Sequence, residues 1–161
     1  MICRWLMFYV ALCGAGVVRA DTVFSEEERA LLCAHDLLVS KVIVVNESKE
    51  EYRLAGLLLR RASECETNGE VEFYSAVLGY KQGYLEYGSG EFVELLQLSA
   101  KLGHPFAIAE LYRLSDKCRM TTDNDSAKYE KMFEVGARRR DDYPSFSQAV
   151  KLTSRIFHRE K

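Results

Sequence analysis

At 161 residues, with 48% apolar residues and 11% aromatic, the chain is long enough for one domain with a substantial core. Its 22 Lys and Arg against 24 Asp and Glu give a formal charge of −2, which makes it a poor candidate for binding nucleic acid or anionic lipid. Two prolines in the whole chain and almost no alternating apolar pattern argue against a β fold.

Residues 1–20 read as a secretory signal peptide. Arg4 gives a short basic start, Trp5 to Val18 is apolar apart from Gly14 and Gly16, and Val18-Arg19-Ala20 suits a signal peptidase that cuts before Asp21. The apolar run is shorter than the roughly 20 residues of a bilayer span. Lipid attachment at Cys13 is disfavoured by the bulky Leu12 before it. Cleavage removes two cations and no acid, leaving a charge of −4 and an exported protein, periplasmic or secreted, with no membrane contact. Cys33, Cys65 and Cys118 then remain. In an oxidising compartment two should pair. Cys33–Cys65 is preferred because consecutive antiparallel helices carry them; Cys65–Cys118 stays open.

Seven helices follow in order from the start and stop signals. The first opens on a capping box, Ser25 and Glu28, and directs Leu31, Leu32, Leu38 and Val42 inward. The second opens on Ser48 and Glu51 and buries Leu54, Leu57, Leu58 and Ala62 until Asn68-Gly69, which closes an N-terminal hairpin over residues 21–68. The third spans residues 70–87, with Phe73, Val77 and Tyr84 on one face. After Gly88-Ser89-Gly90, the fourth carries Phe92, Leu95, Leu96, Ser99 and Leu102. Gly103 suits a left-handed turn and Pro105 the first turn of the fifth helix, which buries Phe106, Leu111 and Leu114. A polar loop from Cys118 to Asn124 follows, with caps for the sixth helix between Asp123 and Ser126. That helix turns Tyr129, Met132, Phe133 and Gly136 inward. Pro144 starts the seventh, with Phe146, Ala149, Val150, Thr153 and Phe157 at helical spacing.

Within residues 69–161 a turn residue is followed by a small or apolar residue four on and an aliphatic one four beyond. The copies are Gly69–Phe73–Val77, Gly103–Ala107–Leu111 and Asp142–Phe146–Val150. Periods in this range belong to stacked helical hairpins. Ser99-Ala100, Gly103, Ala107 and Leu111, with Gly79, Gly83 and Gly88-Ser89-Gly90 upstream, resemble the Sel-like repeat family, relatives of the tetratricopeptide repeats. The likeness covers residues 74–114 well and 125–150 in part, where Asp142 and Phe146 replace the glycine and alanine. It implies an all-α, right-handed superhelix (an α-solenoid) of antiparallel hairpins with a C-terminal capping helix. The family's short-spaced cysteine pairs are missing, so its disulfide pattern is not carried over.

The candidates for catalysis are thin. His35 and Asp36 are adjacent, so their side chains diverge by about 100° on a helix. His104 sits in a repeat turn and His158 near the C-terminus. No phosphate loop, metal-ligand pair or nucleophile elbow appears, so no cofactor and no metal is expected. Arg138-Arg139-Arg140 reads as a solvated helix end. Tyr80, Tyr84 and Tyr87 recur on one helix face, with Tyr112 and Arg113 on the corresponding helix of the next unit. They are either a partner-binding stripe or rings packed between hairpins. The expected function is a non-catalytic protein-binding module. By analogy with similar exported repeat proteins, it would neutralise a cognate toxin or lytic enzyme, in the manner of an immunity protein. The rivals are a hydrolase of cell wall or β-lactam, and a lumenal or secreted eukaryotic adaptor glycosylated at Asn46 or Asn124.

Overall fold

The computed structural model describes residues 24–117 and 124–157. The segment expected to be a signal peptide, Cys118 with most of its polar loop, and His158 lie outside the described residues. Among those described there are seven α-helices and no strand: α1 (Glu26–Asn46), α2 (Tyr52–Ala62), α3 (Glu70–Gln82), α4 (Gly90–Lys101), α5 (Pro105–Lys117), α6 (Asn124–Ala137) and α7 (Phe146–Phe157). Each helix from α1 to α5 packs on its successor, and α1 also touches α3. The exception to this sequential order is α7, which packs on α5.

The local signals act largely as expected. The Ser25 hydroxyl accepts from the Glu28 amide at 3.2 Å, and the Glu28 carboxylate accepts from the Ser25 amide at 2.8 Å. Gly103 is left-handed (φ 86°) and Pro105 is the first residue of α5. Three boundaries differ. Ser48 makes no side-chain cap, and Lys49–Glu51 is a single 3-10 turn ahead of α2. The helix expected over 70–87 ends at Gln82. Gly83 (φ 78°) closes it, and the Gly83 and Tyr84 amides donate to the Tyr80 and Gly79 carbonyls at 3.0 and 2.9 Å. That is the paired-bond ending that left-handed glycine favours. α7 starts at Phe146 and not at Pro144, with Ser145 as its cap: the Ser145 amide and hydroxyl exchange bonds with Gln148 at 3.1 and 3.3 Å.

A larger correction concerns the N-terminal hairpin. Leu31, Leu32, Leu38 and Val42 on α1, and Leu54 and Leu57 on α2, face outward, whereas Leu37, Ile43 and Val44 enter the core with Leu58 and Ala62. α1 is apolar on both sides, so periodicity alone does not choose its inner face. The choice is made by distant partners. Asp36, almost fully buried, meets Arg61 of α2 at 3.0 Å. Cys33 and Cys65 stand at bonding distance, with Cα atoms 6.1 Å apart.

The repeated turns are tied to one another. The Ser99 hydroxyl of α4 donates to the Gly69 carbonyl at 2.6 Å, and the Tyr143 hydroxyl donates to the Gly103 carbonyl at 3.1 Å. Gly69 has φ 83°, and a Cβ there would lie 2.5 Å from the Ser99 carbonyl oxygen. Both the backbone conformation and the close approach therefore require glycine. Behind these turns Phe73 is fully buried against His104 (4.7 Å), Phe106 (6.0 Å) and Phe157 (6.0 Å).

Gly69→Ala is expected to lower unfolding stability by about 2–4 kcal/mol, from left-handed strain plus a backbone clash. Urea denaturation measures this, and Gly90→Ala, where an added Cβ meets nothing, supplies the control. Breaking the Cys33–Cys65 link, which spans 32 residues, should cost about 2–4 kcal/mol. Melting with and without reductant reads it, and a Cys33→Ser/Cys65→Ser protein should melt like the reduced wild type.

Candidate functional site

The first helix of each hairpin contributes to one groove. Its floor is Val44 of α1, Val77 of α3 and Phe106 of α5, with Ile156 of α7 beside them. Its volume is about 640 Å³. Val45 and Leu152 stand on its walls, 47% and 40% exposed, so the apolar surface continues out of the groove. Lys81 pairs with Glu47 at 2.7 Å on the same surface, and Arg155 adds a further cation at the rim. Tyr74 lines it too. Lys41 lies 5.5 Å from the Tyr74 ring centre, and burial together with nearby Glu70 pushes that phenol up to about 12. It stays protonated at every working pH. The groove offers area, a few fixed polar atoms and no strongly nucleophilic group.

The expected tyrosine stripe is divided. α3 ends before Tyr84 and Tyr87, so Tyr80, Tyr84 and Tyr87 do not share a helix face. Tyr84 is 80% exposed. Tyr80 and Tyr87 pack with Phe92 and Phe157 in one aromatic cluster, with ring centres 5.3–6.3 Å apart, and the Tyr80 hydroxyl donates to the Phe157 carbonyl at 3.1 Å. Tyr112 packs edge-on against Phe146 at 5.0 Å. Arg113 is buried and donates to Glu110 at 2.7 Å. These residues mostly hold hairpins together, and none lines the groove. The sequence reading passed over the groove residues because their apolar side chains look like ordinary core positions. Val77 and Phe106 fall on the apolar stripes of α3 and α5, which by spacing read as core.

The titratable groups are placed for structure. Glu110 is fully buried. Burial pushes its carboxyl above the usual range, against the opposing hydrogen bond from Tyr87 and the charge of Arg113. Without solvent access it joins α5 to the segment after α3 and cannot meet a substrate. His35 is exposed while Asp36 turns inward, as their divergence predicts, although Nδ1 and Oδ1 still approach to 3.7 Å. His104 is buried against Phe73, and its Nδ1 has no hydrogen-bond partner. Burial, with smaller repulsion from Lys41 and Arg140, lowers it to about 3. Among the described residues, no group of three or more His, Cys, Asp or Glu is placed to share a metal ion. Asn46 is exposed at the end of α1. No family model, curated protein or solved structure matches the chain.

The His104 geometry carries a pH signature. The imidazole is neutral when folded down to about pH 3 but protonates near 6.5 when unfolded. The unfolded chain therefore binds the extra proton between those values, and stability must fall as pH drops through that window. His104→Leu should retain more stability than the wild type at pH 4.5 relative to their difference at pH 7.5. Chemical denaturation at the two pH values checks this, and parallel losses in both proteins would refute it.

Proposed function

We propose that this protein is an exported, non-catalytic protein-binding module. In this reading its hairpins are Sel-like repeats stacked as a short right-handed superhelix, and the signal segment directs it to the periplasm or out of the cell. The supporting observation is the groove floored by Val44, Val77, Phe106 and Ile156, to which α1, α3, α5 and α7 all contribute. A surface shared by the first helix of successive hairpins is the part of a repeat array that a partner engages. An apolar floor with polar walls is the composition of a protein-recognition surface. The specific role, an immunity-type binder that neutralises a cognate toxin or lytic enzyme, rests on analogy with small exported repeat proteins.

The test is complex formation between residues 21–161 and the product of a neighbouring gene, measured by calorimetry. A complex at micromolar concentration or tighter is expected. Val45→Asp/Leu152→Asp should weaken it at least tenfold, since an aspartate in the centre of an apolar interface is left unpaired on binding. Leu57→Asp on the outer face of α2 should not. Absence of a complex, or equal weakening by both variants, overturns the reading.

A further inference from the structure

A second cavity, of about 620 Å³, lies between the α4–α5 corner and one face of α6. It is separate from the groove on the first helices and shares no residue with it. Its floor is Leu102, Ile108, Met132 and Val135, with the flat backbone of Gly103 and Gly136 between them. Around that floor stand five cations, Lys101, Lys128, Lys131, Arg139 and Arg140, and no acidic residue lines it.

The arrangement follows from helical spacing. Lys128, Lys131, Met132, Val135 and Gly136 recur every three or four positions, so they occupy one face of α6, and Arg139 and Arg140 continue the lining from the turn just past its C-terminus. The helical part of that face extends for about 12 Å at the rise of an α-helix. The arginine run therefore does more than terminate a helix: two of its three members turn onto the cavity, opposite Lys101 of α4. Arg140 is held by a two-pronged pair with Asp142 at 3.0 and 3.1 Å. Lys101, Lys128, Lys131 and Arg139 have no carboxylate partner among the described residues. In a chain whose overall charge is negative, four unneutralised cations around one apolar hollow form a local positive field. Val135 and Leu102 remain 43% and 46% exposed there, and Gly136 leaves room that a Cβ would reduce; the Tyr143 hydroxyl lies 2.6 Å from where that Cβ would be.

We propose that this cavity binds a monomeric amphiphilic anion of the fatty-acid class, its chain on the apolar floor and its carboxylate among Lys131, Arg139 and Lys101. The volume falls within the range of small-molecule sites, roughly 300–1,000 Å³. Charge selects the head and the floor selects the tail. A purely polar anion would leave the floor wet, and a neutral chain would leave the cations unanswered. The assignment goes beyond the protein-binding reading and does not depend on it.

The probe is decanoate, titrated below its micelle concentration into ¹⁵N-labelled full-length protein. Saturable shifts should centre on the Gly103 and Gly136 amides. Lys131→Glu/Arg139→Glu should weaken the apparent affinity at least tenfold. Lys49→Glu/Arg53→Glu, which makes the same charge change on exposed residues remote from the cavity, should leave it within twofold. Decanol should bind at least fivefold more weakly. The proposal fails if the shifts fall on the exposed leucines of α1 and α2, if the two charge variants behave alike, or if decanol binds as well as decanoate. It fails equally if only phosphatidylglycerol vesicles bind, or if only an acidic leucine-containing peptide binds. Those last results would assign the surface to a membrane or to a protein.

Discussion

Phe157, the last residue of α7, is held within an aromatic cluster that joins distant parts of the chain. Its ring meets Phe73, Tyr80, Tyr87 and Phe92 at centre distances of 5.3–6.0 Å, and its carbonyl accepts the Tyr80 hydroxyl. Burying such a ring contributes on the order of 2–3 kcal/mol from transfer alone, with edge-to-face contacts adding to it. This anchor brings α7 back against the middle of the chain. Leu152, Arg155 and Ile156 line the groove only because of it. Without α7 fixed there, Val44, Val77 and Phe106 would be scattered apolar residues on three helices.

The opposite end of α7 is fixed through the turns. Tyr143 bonds the Gly103 carbonyl, just as Ser99 bonds the Gly69 carbonyl. Each turn is thus satisfied by a residue about 30 to 40 positions later, and neighbouring hairpins are held in register by backbone acceptors rather than by side-chain shape. The same corner defines the cationic cavity, since Gly103 and Gly136 lie in its lining and the Tyr143 hydroxyl approaches both.

Buried charge in this protein serves connection. Asp36 with Arg61, and Glu110 with Arg113 and Tyr87, each lie within reach of a helix they must hold. An isolated buried carboxylate would be costly, so Asp36 favours the pairing of α1 with Arg61 of α2, while Arg113 on α5 itself partly neutralises Glu110. His104 is the exception, with an unsatisfied nitrogen, its ring tilted against Phe73 and edge-on to Phe106. It fills an aromatic position at the cost of acid stability.

Helix identity, most helix ends, the left-handed glycines at 69 and 103 and the preferred Cys33–Cys65 pairing were legible from residue order. Each depends on interactions within a few positions, or on two helices consecutive in the chain. The early end of α3 at Gly83 was legible in principle, but continuous apolar periodicity through Tyr84 and Tyr87 concealed it. Tertiary packing alone decided which side of α1 is buried, because both of its sides are apolar and only partners such as Arg61, Cys65 and α3 distinguish them; on α2 it left Leu54 and Leu57 outside with Arg53, Arg60 and Arg61. It also placed Tyr80 and Tyr87 in an aromatic cluster and turned Arg139 and Arg140 toward Lys101. Local sequence states what each helix can bury or charge. Which of those surfaces meet is determined by contacts between residues far apart in the chain, and periodicity does not encode them.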